Sequence, residues 1–250
     1  MAKTAAVLVI GDEILSGRTQ DTNTGTIARF LAALGLDLKE ARVVGDAESE
    51  IVAALNALRA RYDYVFTTGG IGPTHDDITA DAVTAAFGVG IGYHPDAYAL
   101  LEARYPPGEF NDARKRMARI PHGAALIPNP VSVAPGFHIG NIYVMAGVPS
   151  VMRAMLEQIA PDLPRGPVTA SVTVEALAPE GRLAQPLADV QKIFSDTAIG
   201  SYPFYREDGA DRIYGAQLVV RGRDPVRVED AARAIEDMLR QMAVAAQRVN

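Results

Sequence analysis

Ala5-Ala6-Val7-Leu8-Val9-Ile10 is an unbroken apolar run, as expected of a parallel strand covered on both faces. Gly11-Asp12-Glu13 ends it, and Ile14 to Gln20 reads as a loop or short turn. Asp21-Thr22-Asn23 then caps a helix to about Leu34, with Ile27, Phe30, Leu31 and Leu34 at helical spacing and Gly35 closing it. Asp37 to Val44 reads as a second strand, followed by Gly45-Asp46. Glu48 to Arg61 is an amphipathic helix with Ile51, Leu55 and Leu58 on one face. A third strand, Tyr64-Val65-Phe66, precedes a glycine-rich turn and a helix over 78–87. This alternation predicts an α/β fold: three layers, doubly wound, around a mostly parallel sheet.

The pattern then loosens. Residues 96–104 and 110–119 read as two helices broken by Tyr105-Pro106-Pro107-Gly108. Residues 124–149 are irregular and rich in proline, apart from an apolar strand at Ile142-Tyr143-Val144-Met145. A helix follows to about Ile159, and Pro161 to Pro167 reads as a linker. Beyond it, strands at 168–176, 198–205 and 212–221 and a helix at 182–194 are expected. A last helix runs from Asp224-Pro225 to about Gln247. Two domains result: residues 1–160, and a small α+β domain of β-α-β-β-α order over 167–250.

The stretch that carries chemistry is Thr67-Thr68-Gly69-Gly70-Ile71-Gly72-Pro73-Thr74-His75-Asp76-Asp77-Ile78-Thr79. A strand, a glycine turn and a helix start leave backbone N–H groups and the helix dipole facing an anion. Asp76 and Asp77 would repel a bare phosphate. A divalent cation between them turns repulsion into attraction, because hard cations take carboxylate and phosphate oxygens together. The plainer alternative is that one Asp merely caps the helix. The run is no P-loop, since no Gly-Lys-Ser/Thr follows. It is no dinucleotide fingerprint either, since His75 stands where the third glycine belongs.

In doubly wound sheets, ligands bind at strand carboxyl ends. The loops at Gly11–Glu13, Gly45–Asp46 and Gly69–Asp77 all lie there, so Asp12, Glu13, Asp46 and Asp77 are expected to converge on one edge. Ser16, Thr19 and Thr22 can add hydroxyls. Arg114, Lys115, Arg116 and Arg119 form a dense basic cluster, read either as phosphate neutralisers or as a solvated or subunit-facing helix surface. His75, His94, His122 and His138 show no metal-ligand spacing, and there is no Gly-x-Ser-x-Gly elbow for a serine nucleophile.

Composition narrows the classes. The chain has 250 residues and a formal net charge of −6, which argues against non-specific binding to nucleic acid or membranes. It has no cysteine, hence no disulfide or thiolate site. Met1-Ala2-Lys3-Thr4 leads straight into a strand without a signal peptide, so the cytoplasm is the expected compartment.

The Gly-Pro-Thr-x-Asp-Asp-x-Thr turn resembles that of the molybdopterin-binding-domain family. It is closest to the N-terminal domain of the competence/damage-inducible protein A group, and similar to the flavin-hydrolysing domain of some eukaryotic FAD synthases. The resemblance continues in an Asn-Pro-x-Gly-x-Ala-Pro-Gly loop and a Pro-Gly-Val-Pro-x-Glu-Met turn. Ser132, Ala146 and Val151 depart from these patterns, Val151 standing where a glutamate is usual. Ile199-Gly200-Ser201-Tyr202-Pro203 resembles the segment after the competence-protein domain.

The resemblance implies metal-dependent hydrolysis of nucleotide diphosphates such as ADP-ribose or FAD, with Mg, Mn or Co as the ion. More distant relatives bind and adenylylate molybdopterin, and a binding module without catalysis is a third reading. Asp77 and Asp46 match the two aspartates implicated across the family, with Asp76 next, and Asp76 and Asp77 are the expected metal ligands. Ligand contacts are expected from Gly11, Asp12, Glu13, Asn23, Thr68, Gly69, Gly70, Gly72, Pro73, Thr74, Thr79, Asn129, Gly136, Gly147 and Pro149, Asn23 through a base or ribose. The partner is a nucleotide or pterin, and the assembly a homo-oligomer of two or three subunits. Longer relatives carry a separate amidase domain, and no amidase activity is expected of these 250 residues.

Overall fold

The computed structural model describes residues 2–208 and 211–249 and divides into two units, residues 1–166 and 167–250. In chain order the first unit contains β1 (Thr4–Ile10), a one-turn helix α1 (Asp12–Leu15), α2 (Asn23–Leu34), β2 (Asp37–Val44), α3 (Glu48–Arg61), β3 (Tyr64–Thr68) and α4 (Thr79–Phe87). It continues with β4 (Ile91–Tyr93), α5 (Pro95–Arg104), α6 (Asp112–Arg116), β5 (Arg119–Pro121), β6 (Ala125–Ile127), β7 (Gly136–Ile139), β8 (Ile142–Met145) and α7 (Pro149–Ile159).

The main sheet has the order β2-β1-β3-β8-β7-β6. Its first four strands are parallel, β7 runs antiparallel to β8, and β6 runs antiparallel to β7. Alternation along β1 explains the continuous apolar run. Ala6, Leu8 and Ile10 face a core built with α3, α4 and α5. Ala5, Val7 and Val9 face a second core built with α2 and α7. Leu55, Leu58, Ile27 and Leu31 are fully buried, and each such side chain stabilises by roughly 1.5–3 kcal/mol. Phe66 and Tyr143 are cross-strand neighbours of β3 and β8 and stack at 5.3 Å.

Three features of this unit were not legible in the sequence. The loop after β1 contains a helical turn, α1. The second member of the helical pair shrinks to α6, and its end becomes β5, which pairs with β4 in a two-stranded sheet. The irregular proline-rich stretch supplies β6 and β7, which extend the main sheet. All four strands are three or four residues long, too short for a period of two to show.

Asp63, just before β3, ties the starts of β1 and β3 together. It accepts from Lys3 Nζ at 2.7 Å, Thr4 N at 2.8 Å and Thr4 Oγ1 at 2.9 Å. The Lys3 hydrogen bond, then those from the Thr4 backbone and hydroxyl, push its carboxyl down to about 2. The folded value lies below the unfolded one, near 3.9. Its contribution is therefore present above about pH 4 and is lost as pH falls through the folded value. Asp63→Asn is expected to flatten the acid limb of a pH series of thermal melts between about pH 4 and 2. An acid limb identical to that of the parent would count against this tie.

The second unit contains β9 (Ala170–Ala176), α8 (Glu180–Ile193), β10 (Ala198–Asp208), β11 (Asp211–Gly222), α9 (Pro225–Gln241) and β12 (Ala246–Val249). Its sheet is antiparallel with the order β10-β11-β9-β12. The two helices pack on one face, with Leu183, Leu187, Val228, Ala231, Ile235 and Leu239 against Val174, Ala176 and Leu218. Asp224 caps α9, accepting from Val226 N at 2.9 Å.

The final helix does not reach Gln247. It ends at Gln241, where Ala243 takes φ 52° and Val244 N donates to the Leu239 carbonyl. The chain then turns back to pair β12 with the open edge of β9. The unit is thus β-α-β-β-α-β, the ferredoxin-like arrangement. A free strand edge outweighed the helix propensity of Ala243, Ala245 and Ala246. Among the described residues no helix is long and apolar enough to cross a membrane.

Candidate functional site

The four parallel strands β1, β2, β3 and β8 deliver their carboxyl ends to one edge of the main sheet, and the site is built from the loops that leave them. Gly69 and Gly70 take φ 109° and 67° and turn the chain back under β3. Space explains why glycine stands there. A Cβ on Gly69 would lie 2.1 Å from the Ile10 carbonyl oxygen, and one on Gly70 would lie 2.2 Å from Thr79 Oγ1. Thr79 itself is buried. Its hydroxyl donates to the Gly69 carbonyl at 3.0 Å, and its N–H to the Gly70 carbonyl at 3.0 Å. It holds the turn from inside.

The outer half of the turn is braced by Asp77. Its Oδ2 accepts from Thr74 N at 2.8 Å and from the Thr74 hydroxyl. A Cβ on Gly72 would stand 2.6 Å from that same oxygen. Asp76 and Thr74 are exposed.

The β1 and β2 loops are laced to each other. Gly11 N donates to the Val44 carbonyl at 3.1 Å. Asp12 N donates to Asp46 Oδ2 at 2.9 Å, and Asp46 N donates to Asp12 Oδ1 at 3.4 Å. Gly45 has no Cβ where the Asp12 carboxylate lies, at 2.3 Å. Burial raises the Asp46 carboxyl above its ordinary value. The Asp12 N–H opposes this, and the charges of Asp12, Glu13 and Asp76 add to it. Asp12, Glu13, Asp46 and Asp76, from three loops, therefore share one field, with Asp76 in the place expected of Asp77.

The main cleft has a volume of about 520 Å³. Of the residues singled out in the sequence, Glu13, Gly69, Gly70, Gly72, Pro73, Asp77, Asn129, Gly147 and Pro149 line it. A smaller recess of about 60 Å³ opens beside it, lined among others by Glu13, Asn23, Thr68, Gly69, Gly147 and Pro149. Asn129 shapes the wall. Its Oδ1 accepts from the N–H groups of Val131 and Ser132, and its Nδ2 donates to the Ala134 carbonyl at 2.8 Å.

Gly11, Asp12, Asp46, Thr74, Asp76, Thr79 and Gly136 line neither space. Gly136 lies within β7, where a Cβ would stand 2.4 Å from the Val144 carbonyl oxygen, so it serves strand packing. Thr79 faces the turn, as described. Val151, which replaces the family's usual glutamate, lines the cleft but packs into the α7 core at 6% exposure.

Met117 lines the cleft from beyond α6, and nothing in its sequence context marks it. The basic cluster divides. Arg119 pairs with both oxygens of Asp81 at 2.6 and 3.1 Å, and Arg116 reaches the Asp77 carbonyl at 3.4 Å. Lys115 pairs with Asp112, and Arg114 with Glu109. Arg116 thus braces the end of the glycine turn, and Arg119 braces α4, which follows it.

Residues 6–165 match the family described as a probable molybdopterin binding domain, and residues 169–248 match the middle domain of FAD synthase. A CinA-like protein of Syntrophotalea carbinolica is 36% identical over 170 residues, covering 65% of this chain and 41% of its own length. The chain thus spans less than half of that relative. A protein of Pyrococcus furiosus is 32% identical over 238 residues, covering 89% of this chain and 92% of its own. The crystal structure of CinA from Thermoplasma acidophilum, a protein described as of unknown function, is 35% identical. It superposes with a TM-score of 0.62 over 64% of this chain and 98% of its own. The chain therefore belongs to the molybdopterin-binding-domain family, close to the CinA-like proteins, and carries a second domain matching the FAD synthase middle domain.

Proposed function

We propose that the cleft hydrolyses the diphosphate bond of a nucleotide of the ADP-ribose or FAD type, with a divalent cation, Mg, Mn or Co. The observation that carries this reading is the glycine turn and the laced Asp12–Asp46 loops sharing one strand edge. The turn suits phosphate, and carboxylates beside phosphate call for a cation.

Among the described residues no three carboxylates or imidazoles stand close enough to enclose a cation by themselves. The donor set fits an ion held by one or two carboxylates and completed by phosphate oxygens, the usual habit of Mg²⁺. One or two of Asp12, Asp46 and Asp77 would hold it, with Asp76 at the exposed rim. A bound cation supplies phosphoryl polarisation and a more acidic water.

The chain's own groups do the rest. The N–H groups of Gly70 to Gly72 orient the phosphate, the Gly69 N–H being held by the Met145 carbonyl. Asp46, whose carboxyl is raised by burial, is suited to take a proton from the attacking water. The walls from Asn129 to Ala134 and from Ala146 to Pro149 limit water around the bond. The description of the matched family supports a second reading, in which the same turn holds a pterin phosphate.

Purified protein incubated with ADP-ribose or FAD and each metal is expected to release AMP, with no release in EDTA or in Asp77→Ala. An absence of turnover with every metal would overturn the hydrolase reading and leave pterin binding or a silent nucleotide module.

A further inference from the structure

The sheet of the second unit carries a buried carboxylate on the face away from its helices. In β9, Val174 and Ala176 pack toward α8 and α9, so Glu175 between them points to the opposite face. It is nevertheless only 2% exposed. Arg206, whose guanidinium lies over the Phe204 ring, donates Nη2 to Glu175 Oε1. Gln247 Nε2 donates to the same oxygen at 3.3 Å. Oε2 has no donor among the described residues, yet it is not sealed from solvent. It opens to a cavity of about 450 Å³ that Glu175 lines. Glutamate is almost never buried this far without partners, and an acceptor left without a donor is costly.

The cavity has the size of a small-molecule site. Leu177, Ile213, Ala245 and Ala246 give it an apolar wall. Its charged groups are two carboxylates, Glu175 and Glu207, against one guanidinium, Arg206. An anion would meet that excess of negative charge. A neutral apolar molecule would leave Oε2 bare. A cation with N–H donors on an aliphatic stem meets both demands, its head on Oε2 and its stem along the apolar wall.

We propose that this cavity binds a primary ammonium or guanidinium group carried on an aliphatic stem, with Glu175 Oε2 accepting its N–H. All of the lining residues belong to the second unit, so the site stands apart from the nucleotide reading of the cleft.

The test is an amide NMR titration of the full chain with pentylammonium, pentanol and pentanoate. Pentylammonium is expected to shift the Ala245, Ala246 and Gln247 amides and to bind at least about 10-fold more tightly than the other two. Glu175→Gln should abolish that preference. Ala245→Phe, at an exposed position just before β12, should fill the cavity and weaken pentylammonium by about 10-fold or more. No shift at these amides in the parent, equal binding of the three compounds, or tighter binding of pentanoate through Arg206 would each overturn the proposal. So would a preference for pentylammonium that survives both variants. Should Glu175→Gln not fold, the parent comparison and Ala245→Phe still decide. A free amine and a lysine side chain carry the same group, and a parallel titration with Nα-acetyl-lysine methylamide separates them. Binding as tight as that of pentylammonium points to a side chain, and refusal to a free amine.

Discussion

Asp46→Asn is expected to lower metal-dependent turnover of ADP-ribose or FAD by roughly 100-fold or more, while the protein melts at the same temperature or higher. The two effects part because the carboxylate holds a strained charge. An amide keeps an oxygen able to accept the Asp12 N–H, so the lacing of the β1 and β2 loops survives. The charge is lost, and with it the proton acceptor. The sign of the stability effect follows from the direction of the shift. Asp46 has a raised carboxyl, first through burial and then through Asp12, Glu13 and Asp76. The folded state binds that proton more tightly than the unfolded chain does. The associated stability is fully present below the unfolded value and is lost as pH rises through the folded one. At neutral pH the ionised group is a cost, which the amide removes. Melting curves against pH should show the parent losing ground to the variant as pH climbs through the carboxylate range. A variant several degrees less stable at neutral pH, or one with parental turnover, would sink this account.

Gly69→Ala should be the most damaging single-methyl change in the first unit. Its φ of 109° is a conformation that L-residues rarely take, and the new Cβ would meet the Ile10 carbonyl at 2.1 Å. Both obstacles are backbone, and Ile10 is hydrogen-bonded into the sheet, so neither can move aside cheaply. The expected loss is about 3 kcal/mol or more in denaturant unfolding, with ligand binding lost alongside. Gly72→Ala makes the contrast. Its nearest obstacle is the end of the Asp77 side chain, at 2.6 Å, and its φ is not in the left-handed region. That carboxylate can swing away at the expense of its bonds to Thr74. Gly72→Ala should therefore keep most of the stability, losing about 1 kcal/mol, and still lose most of the turnover. Equal destabilisation by the two changes would show that the turn is not anchored where the contacts place it.

Much of the first unit was legible because its signals are long and local. Ala5 to Ile10 could only be a doubly covered strand, and Ile51, Leu55 and Leu58 could only share a helix face. The glycine turn announced itself because a close backbone approach leaves no residue but glycine. What stayed hidden depends on partners far along the chain. The pairing of Arg119 with Asp81 spans 38 positions, and nothing in a run of basic residues distinguishes a brace from a solvated face. The meeting of Asp12 and Asp46 was expected from strand-end topology. That each would accept the other's backbone N–H was not. The strand Ala246–Val249 was hidden for the opposite reason: its residues favour a helix locally, and only the open edge of β9 decides otherwise.

That edge pairing has a consequence for how the protein is made. Glu175 and Gln247 are cross-strand neighbours, yet stand 72 positions apart. While the chain leaves the ribosome, β9 emerges long before β12, and the first unit can close in the meantime from its own residues. For that interval β9 is a bare strand edge, the kind of template on which nascent chains associate wrongly. Synthesis interrupted before Ala246 would yield a first domain already folded, tethered to a second whose sheet lacks a side.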